Sequence, residues 1–237
     1  MIVTIHQPDF MPWMGFFNKI AKSDVWVLLD HVENNPRDAG FWGRRVKILV
    51  NGSPTWLSVP LKKPDQTGVV GVPINQMEIN TELQKNLSKS FRTLHQAYSG
   101  TLYYKEYCYL IEDFFLDDDP SLINRNLKFI REILKILGIN TEVVPSSKFG
   151  FESKKNELLI DLIKAVHGNT YLCGQGAQGY QDDSKFLSEG ITVEYNRFEH
   201  PNYTQRHTKE CVHGLSIIDA LFNTPVEKVS TMIFPAL

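Results

Sequence analysis

At 237 residues the chain is long enough for one large domain, or for one domain that carries a sizeable insertion. A formal net charge of −2 gives no electrostatic argument for an extended nucleic-acid or membrane-surface partner, and 42% hydrophobic with 22% charged residues is ordinary for a soluble globular protein. The three cysteines form no CxxC pair, which argues against a disulfide framework or structural zinc. Because the N-terminus lacks a signal-peptide pattern and no apolar stretch reaches about 18 residues, we predict a cytoplasmic protein without membrane insertion.

The first thirty residues predict one βαβ unit. Residues 1–5 and 25–29 are apolar runs typical of buried strands, and apolar side chains at helical spacing predict a helix over 13–21. Polar side chains that follow the two strands should lie at the carboxyl ends of a parallel pair, where open α/β sheets bind ligands. These side chains are His6, Gln7, Asp9 and Asp30.

Residues 31–75 predict an insertion built around a β-hairpin. The strand-like runs 44–50 and 55–61 flank Asn51-Gly52, which is a strong turn signal. The following Ser53-Pro54 favours a loop longer than two residues.

Five cations lie on or beside this hairpin, namely Arg44, Arg45, Lys47, Lys62 and Lys63. Strand alternation places Arg45 and Lys47 on one face and Arg44 on the other. A solvated β face is the ordinary outcome for such a run. The alternative is a clamp for a diphosphate, because the planar fork of arginine suits paired phosphate oxygens.

The segment 81–138 is predicted to be helical, and the chain then returns to alternating strands and helices. The predicted helices are 81–98, 102–116, 121–137, 154–167, 181–189, 216–222 and 226–233, and the later strands are 141–144, 170–173 and 191–195. This pattern predicts a single α/β domain over residues 1–237, with a mainly parallel, doubly wound sheet, the 31–75 hairpin insertion and the 81–138 helical segment.

A glycine-rich turn lies between a predicted strand and a predicted helix in the second half. Gly174, Gly176 and Gly179 can hold a phosphate on backbone N–H groups there, and a plain tight turn is the alternative. The spacing matches neither a Rossmann fingerprint nor a P-loop. Tyr180 and Asp182 follow as candidates to contact a sugar, and Asp182 is equally suited to cap the helix.

Other candidates have structural alternatives. His6 is either a satisfied histidine at a strand end or, near its ordinary pKa of about 6.5, a base for acyl transfer. Asp30 either serves the site or caps the turn that follows it. Cys173 fits a small buried residue better than a nucleophile. The histidines at 200, 207 and 213 lack the spacing and partners of a metal site, so we predict no metal.

Several segments resemble the WbqC-like family, which is found among genes for bacterial O-antigen and other surface polysaccharides. The opening IHQPDFMPWMGFFNKIAKSDVWVLLD carries the resemblance, and the later pieces agree in order: GFWGRRVKI, PLKK, LGINTEV, YLCGQGAQGYQDDSKFLSEGI and LSIIDALFN. The sequence departs from the family at Gly43-Arg44-Arg45, where relatives tend to show Asn before and after the Arg. We favour Arg44 as the arginine that carries the family's role.

The resemblance implies a transferase that moves an amino acid such as glycine, or another acyl group, onto an amino sugar of an O-antigen or lipopolysaccharide repeat unit. A more distant, architectural resemblance is to HxGH-type nucleotidylyltransferases, in which two histidines contact the nucleotide phosphates. Trp13 and Phe16 occupy the matching positions here, so the implication is a Rossmann-like nucleotide-binding layer without that phosphate chemistry. Trp13 is a candidate substrate contact.

We therefore predict a cytoplasmic acyl- or aminoacyltransferase that acts on a nucleotide-linked amino sugar. His6 would be the base, Gln7 and Asp9 would position the amine, and Asp30 would complete the catalytic set. The predicted substrate contacts are Trp13, Arg44, Arg45, Lys47, Lys62, Gly174, Gly176, Gly179, Tyr180 and Asp182. The donor would be an activated amino acid or acyl-coenzyme A, and a homodimer is compatible with the sequence. The alternatives are a nucleotidylyltransferase-like enzyme for a sugar phosphate, or a non-catalytic sugar-nucleotide-binding module.

Overall fold

The computed structural model describes residues 1–38, 40–63, 71–179 and 181–234. The strands are β1 (Ile2–His6), β2 (Val25–Leu28), β3 (Glu33–Asn34), β4 (Arg45–Val50), β5 (Ser53–Ser58), β6 (Val72–Pro73), β7 (Glu142–Pro145), β8 (Thr170–Gly174) and β9 (Thr192–Asn196). The helices are α1 (Met14–Ala21), α2 (Gln84–Tyr98), α3 (Tyr104–Tyr107), α4 (Tyr109–Phe115), α5 (Leu122–Ile136), α6 (Lys155–Ala165), α7 (Asp183–Ser188), α8 (Ile217–Asn223) and α9 (Val226–Ile233). None of these described helices is both long enough and apolar enough to cross a bilayer.

Five strands form a central parallel sheet in the order β7-β2-β1-β8-β9. The chain builds from β1 through β2 to β7 in one direction and then continues with β8 and β9 on the other side of β1. The order therefore reverses between β1 and β8. In open α/β sheets, the crevice outside the carboxyl ends of the strands at such a reversal is the usual ligand site.

The βαβ unit predicted for the first thirty residues is confirmed. Strand β2 is buried along its whole length, the middle of β1 is buried, and α1 connects the two parallel strands. Both strands can be continuously apolar because helices flank the sheet. The predicted mixed α/β class with a parallel sheet is likewise confirmed.

The described residues group into two compact units. The first consists of Met1–Gln7, Gly15–His31 and Ile139–Glu199, and it contains the parallel sheet. The second is drawn from three further stretches and contains the short strands β3 to β6 with helices α2 to α5, α8 and α9; these stretches are Pro8–Met14, Val32–Gly138 and His200–Leu237. That residues 1–237 form one domain stays a prediction.

The hairpin of β4 and β5 turns in two residues. Asn51 and Gly52 both have positive φ, +50° and +78°, and Val50 pairs directly with Ser53. Two consecutive positive φ values fit the tight turn whose twist matches antiparallel strands. The prediction of a longer loop is therefore wrong. Pro54 is tolerated because β5 is an edge strand of a two-stranded sheet.

The helical segment differs from its prediction in two places. The helix predicted over 81–98 begins at Gln84, because residues 81–83 form a 3-10 turn. The helix predicted over 102–116 is divided at Cys108 into α3 and α4. The start of α5 follows the prediction, because the Ser121 hydroxyl accepts a hydrogen bond from the N–H of Asn124 and so caps the helix.

Candidate functional site

The carboxyl end of the central strand fixes the position of His6. The His6 carbonyl accepts hydrogen bonds from the N–H of Leu29, at 2.9 Å, and from the indole of Trp26, at 3.2 Å. Both donors lie on or just after β2, which pairs with β1 through His6 and Leu28. The backbone that carries this imidazole is therefore held from one side by the neighbouring strand.

Strands β1 and β8 border the switch point of the sheet. They pair at Ile2 with Thr170 and at Val3 with Tyr171. One residue further on, the Thr4 hydroxyl donates to the carbonyl of Leu172 at 2.9 Å, so a side chain links the two strands there. His6 and Gly174 then end these adjacent strands.

The glycine-rich turn after β8 borders open space. Its first part is a 3-10 turn, Gln175–Ala177, and Gly179 has a φ of +100°. Among the described residues, no heavy atom lies within 4 Å of a Cβ built on Gly174, Gly176 or Gly179, chain neighbours aside. The turn therefore leaves room for a ligand beside the carboxyl end of β8.

The imidazole of His6 is neutral at physiological pH. Its Nδ1 lies 2.9 Å from the Gln7 carbonyl, and its ring meets Phe16 edge-on at 5.1 Å between centroids. Burial, and then the charge of Lys19, lower the pKa of His6 to about 3, although the bond to Gln7 opposes the shift. The expected pKa near 6.5 is therefore wrong. Since a neutral imidazole that meets a carbonyl donates its N–H to it, Nε2 is the acceptor nitrogen.

Lys19 is a site residue that sequence reasoning missed. It lies on α1 three residues after Phe16, its side chain is only 5% exposed, and its charge acts on both His6 and Cys173. Three positions further along, Lys22 donates to Asn196 Oδ1 at 3.0 Å, at the end of β9. The available signal in the sequence was the position of Lys19 three residues after Phe16, which places both side chains near the same face of the helix. Lys19 on α1 and Lys22, the residue after the helix ends, are thus both directed toward the carboxyl ends of the strands.

Cys173 is a buried thiol. It is 1% exposed, and burial raises its pKa to about 11 against the opposing effect of Lys19. Because the thiolate is the reactive form, a thiol with so high a pKa is inert at neutral pH. The prediction that Cys173 is a small buried residue is confirmed.

Asp30 holds the turn that follows β7. Its Oδ1 accepts from the Ser146 hydroxyl and from the Ser147 N–H, both at 2.8 Å, and its Oδ2 accepts from the Ser147 hydroxyl at 2.6 Å. The expectation that Asp30 caps the turn after itself is wrong, because its carboxylate caps the 146–148 turn after the neighbouring strand. A catalytic role for Asp30 stays a prediction.

Asp182 caps α7. Its carboxylate accepts hydrogen bonds from the Ser184 N–H, at 3.2 Å, and the Ser184 hydroxyl, at 2.6 Å. The capping alternative is therefore confirmed, and a contact to sugar stays a prediction. A phosphate at the start of this six-residue helix would meet the Asp182 carboxylate, so backbone contacts to phosphate are better placed in the preceding 175–177 turn. Tyr180 lies outside the described residues.

Trp13 belongs to the second unit, as does Asp9, which is 8% exposed. The Trp13 indole stacks on His200 at 4.9 Å between centroids, and His200 stacks on His213 at 5.2 Å. Burial, and then the charge of His213, lower the pKa of His200 to about 4, and His200 Nε2 accepts from the N–H of Gly214 at 3.2 Å. The spacing of these histidines in the sequence gives no sign of this three-ring stack.

The hairpin cations differ in how they are placed. Arg45 and Lys47 share one face of β4, as predicted, with the Arg45 guanidinium carbon 3.6 Å from the Trp56 ring centroid. Arg44 precedes the strand in a 3-10 turn, so its assignment to the opposite strand face is wrong. Lys62 pairs with Glu78 at 2.6 Å, which counters its charge.

Gly43 is required by the packing of Phe41. A Cβ on Gly43 would lie 2.4 Å from Cζ of Phe41, whose ring is 1% exposed, and the Gly43 carbonyl accepts from Asn126 Nδ2 at 2.8 Å. A side chain at position 43 does not fit this arrangement.

We expect Gly43→Ala to lower the free energy of unfolding by about 1 to 3 kcal/mol, because the added methyl group must displace a buried ring. Urea denaturation measures the loss. Gly176→Ala is the matched control, since a Cβ there meets no described atom within 4 Å, neighbours aside. Equal stability of the two variants would contradict the packing argument.

The structure distributes the predicted site over the two units. The first contains His6, Gln7, Asp30, Gly174, Gly176, Gly179 and Asp182, and the second contains Asp9, Trp13, Arg44, Arg45, Lys47 and Lys62. Within the described ranges, no group of three His, Cys, Asp or Glu side chains converges in a way that could hold a metal ion.

The fold and the site define a mixed α/β protein with polar and cationic side chains at the switch point of a parallel sheet. Residues 7–231 match the model of the WbqC-like protein family, and the chain belongs to this family, which confirms the resemblance of its motifs. It is similar to a protein of Mycobacterium tuberculosis (strain ATCC 25618 / H37Rv) named "Uncharacterized protein Rv1507c". The identity is 28% over 233 residues, which cover 95% of this chain and 94% of that protein. No solved structure matches the chain significantly.

Proposed function

We propose that this protein is a transferase that acylates or aminoacylates the amino group of a nucleotide-linked amino sugar for O-antigen or other surface polysaccharide. The observation that carries the proposal is the neutral, half-buried imidazole of His6 at the switch point. An amine can attack an acyl group only as the free base. An acceptor nitrogen such as His6 Nε2 orients that amine and takes up the proton that leaves it as the amide bond forms. At the same time the bond between the acyl carbon and the donor breaks, and the thiol of coenzyme A or the activating group of the amino acid leaves.

The low pKa of His6 determines the protonation state in which the imidazole meets the substrate. A free imidazole with a pKa of about 3 is a weak base, but it stays unprotonated over the whole physiological range and is a permanent hydrogen-bond acceptor. An anionic substrate group near Lys19 would offset the positive charge that depresses the pKa of His6. Burial, the larger cause of the low pKa, would remain, so the imidazole would act mainly as the acceptor that orients the amine.

The nucleotide part of the proposal is supported by the sheet. Numbered in chain order, the parallel strands lie in the order 3-2-1-4-5, which is the order of the Rossmann-like sheets that bind nucleotides at the switch point. Lys19 on α1, Lys22 just after it and the glycine turn suit an anionic ligand at this point. We propose a Rossmann-like sheet and a sugar nucleotide as the ligand on these grounds.

The test is transfer by the purified protein. We expect amide formation, detected as a mass increase of a nucleotide-linked amino sugar, with acyl-coenzyme A or with an activated amino acid as donor. His6→Ala should lower the rate by about 100-fold or more, because loss of a positioned proton acceptor costs this much.

His95→Ala is the matched control. His95 is exposed, but its Nδ1 also has a partner, the Tyr104 hydroxyl at 2.8 Å, and its ring also meets an aromatic ring edge-on, that of Tyr104. We expect this variant to keep its rate within about twofold. A wild-type rate in His6→Ala would remove the base assignment. Release of pyrophosphate from a nucleoside triphosphate and a sugar phosphate, without acyl transfer, would replace the proposal with a nucleotidylyltransferase.

A further inference from the structure

The outer face of the hairpin carries a cluster of aromatic and cationic side chains, which we call the hairpin platform: Trp42, Arg45, Lys47 and Trp56. The indoles of Trp42 and Trp56 lie 5.4 Å apart between centroids and are 49% and 43% exposed. Arg45 lies 3.6 Å from the Trp56 ring centroid, and the Lys47 ammonium lies 5.1 Å from it. Two large aromatic surfaces and two cations thus share a small exposed area.

The hairpin platform is supported by strand pairing and by the buried opposite face of the hairpin. Lys47 pairs with Trp56 across the strands, which places the two side chains on the same face. On the opposite face, Val46 is 3% and Ile48 is 0% exposed, so the hairpin is anchored in the core of its unit. Contact with the indole also orders the Arg45 guanidinium, which lowers the entropy that a ligand must remove.

The charges around the platform favour an anion. Arg44 precedes Arg45, and burial, with the charge of Arg45 next, lowers the pKa of Arg44 below its ordinary value; Asp38 partly offsets this. Arg44 and Arg45 are adjacent in the chain and carry like charges, which repel each other. A bound polyanion would relieve this repulsion, and arginine binds phosphate oxygens through paired N–H groups.

We propose that the hairpin platform binds a nucleoside diphosphate, with its base against the exposed indole surface and its phosphates on Arg45 and Lys47. Proteins bind single-stranded nucleic acids with aromatic surfaces that stack the bases and adjacent cations that hold the phosphates, and the same contacts suit a single nucleotide unit. A neutral sugar would need the indoles but not the adjacent cations. The platform lies in the second unit and is proposed as a nucleotide site in its own right, in addition to the ligand site proposed at the switch point of the first unit. The ligand class rests on the proposed function, since a sugar nucleotide contains a nucleoside diphosphate, but nucleotide binding is measured without an acyl donor.

The test is calorimetric titration of the full chain with uridine diphosphate, adenosine diphosphate, inorganic pyrophosphate and N-acetylglucosamine. We expect the two nucleotides to bind, pyrophosphate to bind at least about tenfold more weakly, and the free sugar not to bind. Rising salt should weaken nucleotide binding, because the phosphates contact partly exposed cations, which salt screens.

Four variants locate the site. Trp42→Ala and Arg45→Ala should each weaken nucleotide binding by about tenfold or more, whereas Trp42→Phe should retain most of it because a ring remains for stacking. Arg131→Ala is the control, since Arg131 is an exposed arginine on α5 and should leave binding unchanged. Thermal melting of each variant establishes that it is folded.

Four outcomes would overturn the proposal. They are absence of nucleotide binding, equal affinity for pyrophosphate and nucleotides with no effect of Trp42→Ala, equal affinity for the free sugar, and a homodimer that Trp42→Ala converts to monomers. Acyl transfer without platform-dependent nucleotide binding would remove this inference and leave the proposed function. Platform-dependent binding without transfer would do the reverse.

Discussion

Replacing Asp219 with alanine will lower the free energy of unfolding by about 3 to 5 kcal/mol. Its carboxylate is 0% exposed and accepts three hydrogen bonds, from the hydroxyls of Tyr98, at 2.9 Å, and Tyr203, at 2.7 Å, and from Gln205 Nε2, at 2.8 Å. Truncation leaves three donors in a site that water does not reach freely, and it adds a small cavity. Urea denaturation measures the loss.

Asp183→Ala is the matched control. Asp183 also accepts from a tyrosine hydroxyl and a glutamine amide, Tyr195 at 2.9 Å and Gln181 at 2.8 Å, but it is exposed. Water can replace the lost acceptor there, so we expect a loss below about 1 kcal/mol. Comparable losses in Asp219→Ala and Asp183→Ala would show that the buried network contributes no more than a surface one.

The buried network explains how distant segments of the second unit are joined. The Tyr98 hydroxyl donates to Asp219 and accepts the N–H of Leu49 at 2.9 Å, so α2 connects β4 to α8. The sequence marks these residues only as members of a predicted helix or strand. Their pairing depends on separations of 49 and 121 residues, which no local periodicity encodes.

Local sequence patterns were sufficient to predict the first two strands of the parallel sheet and the helix between them. Two apolar runs, separated by a segment with helical spacing of its apolar residues, predicted β1, α1 and β2. This worked because strands buried on both faces must be apolar throughout. The same reasoning placed His6 and Gly174 at strand ends. That these two strands are neighbours follows from the strand order, which depends on crossover connections that the sequence does not display.

The pKa values and ring contacts of the site residues were harder to predict from the sequence than their positions in the fold. The low pKa of His6 arises from burial and from Lys19, and the low pKa of His200 arises from burial and from His213. Each cause is a tertiary contact. Trp13 was identified from its place in a motif, whereas its stacking partner His200 lies 187 residues further on and gives no local signal.

Acid will destabilise the protein by about 2 to 4 kcal/mol between pH 6.5 and pH 4.5. The pKa values of His6 and His200 fall from 6.5 in the unfolded chain to about 3 and about 4 in the folded protein. Below pH 6.5 the unfolded chain therefore binds two protons that the folded protein does not, and each costs up to about 1.4 kcal/mol per pH unit. Burial raises the pKa of Asp219, so its contribution has the opposite sign and offsets part of the loss.

Urea denaturation at intervals of pH, with wild type and with His6→Gln and His200→Gln, measures this dependence. Each glutamine variant should show a shallower fall in stability between pH 6.5 and 4.5, because one of the two uncharged imidazoles is gone. His207→Asn is the control: His207 is exposed, and asparagine tolerates its φ of +63°. We expect this control to keep the wild-type slope. A flat profile for wild type, or equal slopes for all four proteins, would contradict the low pKa values of His6 and His200. A histidine whose pKa is lower in the folded protein than in the unfolded chain must cost the folded protein stability as the pH falls.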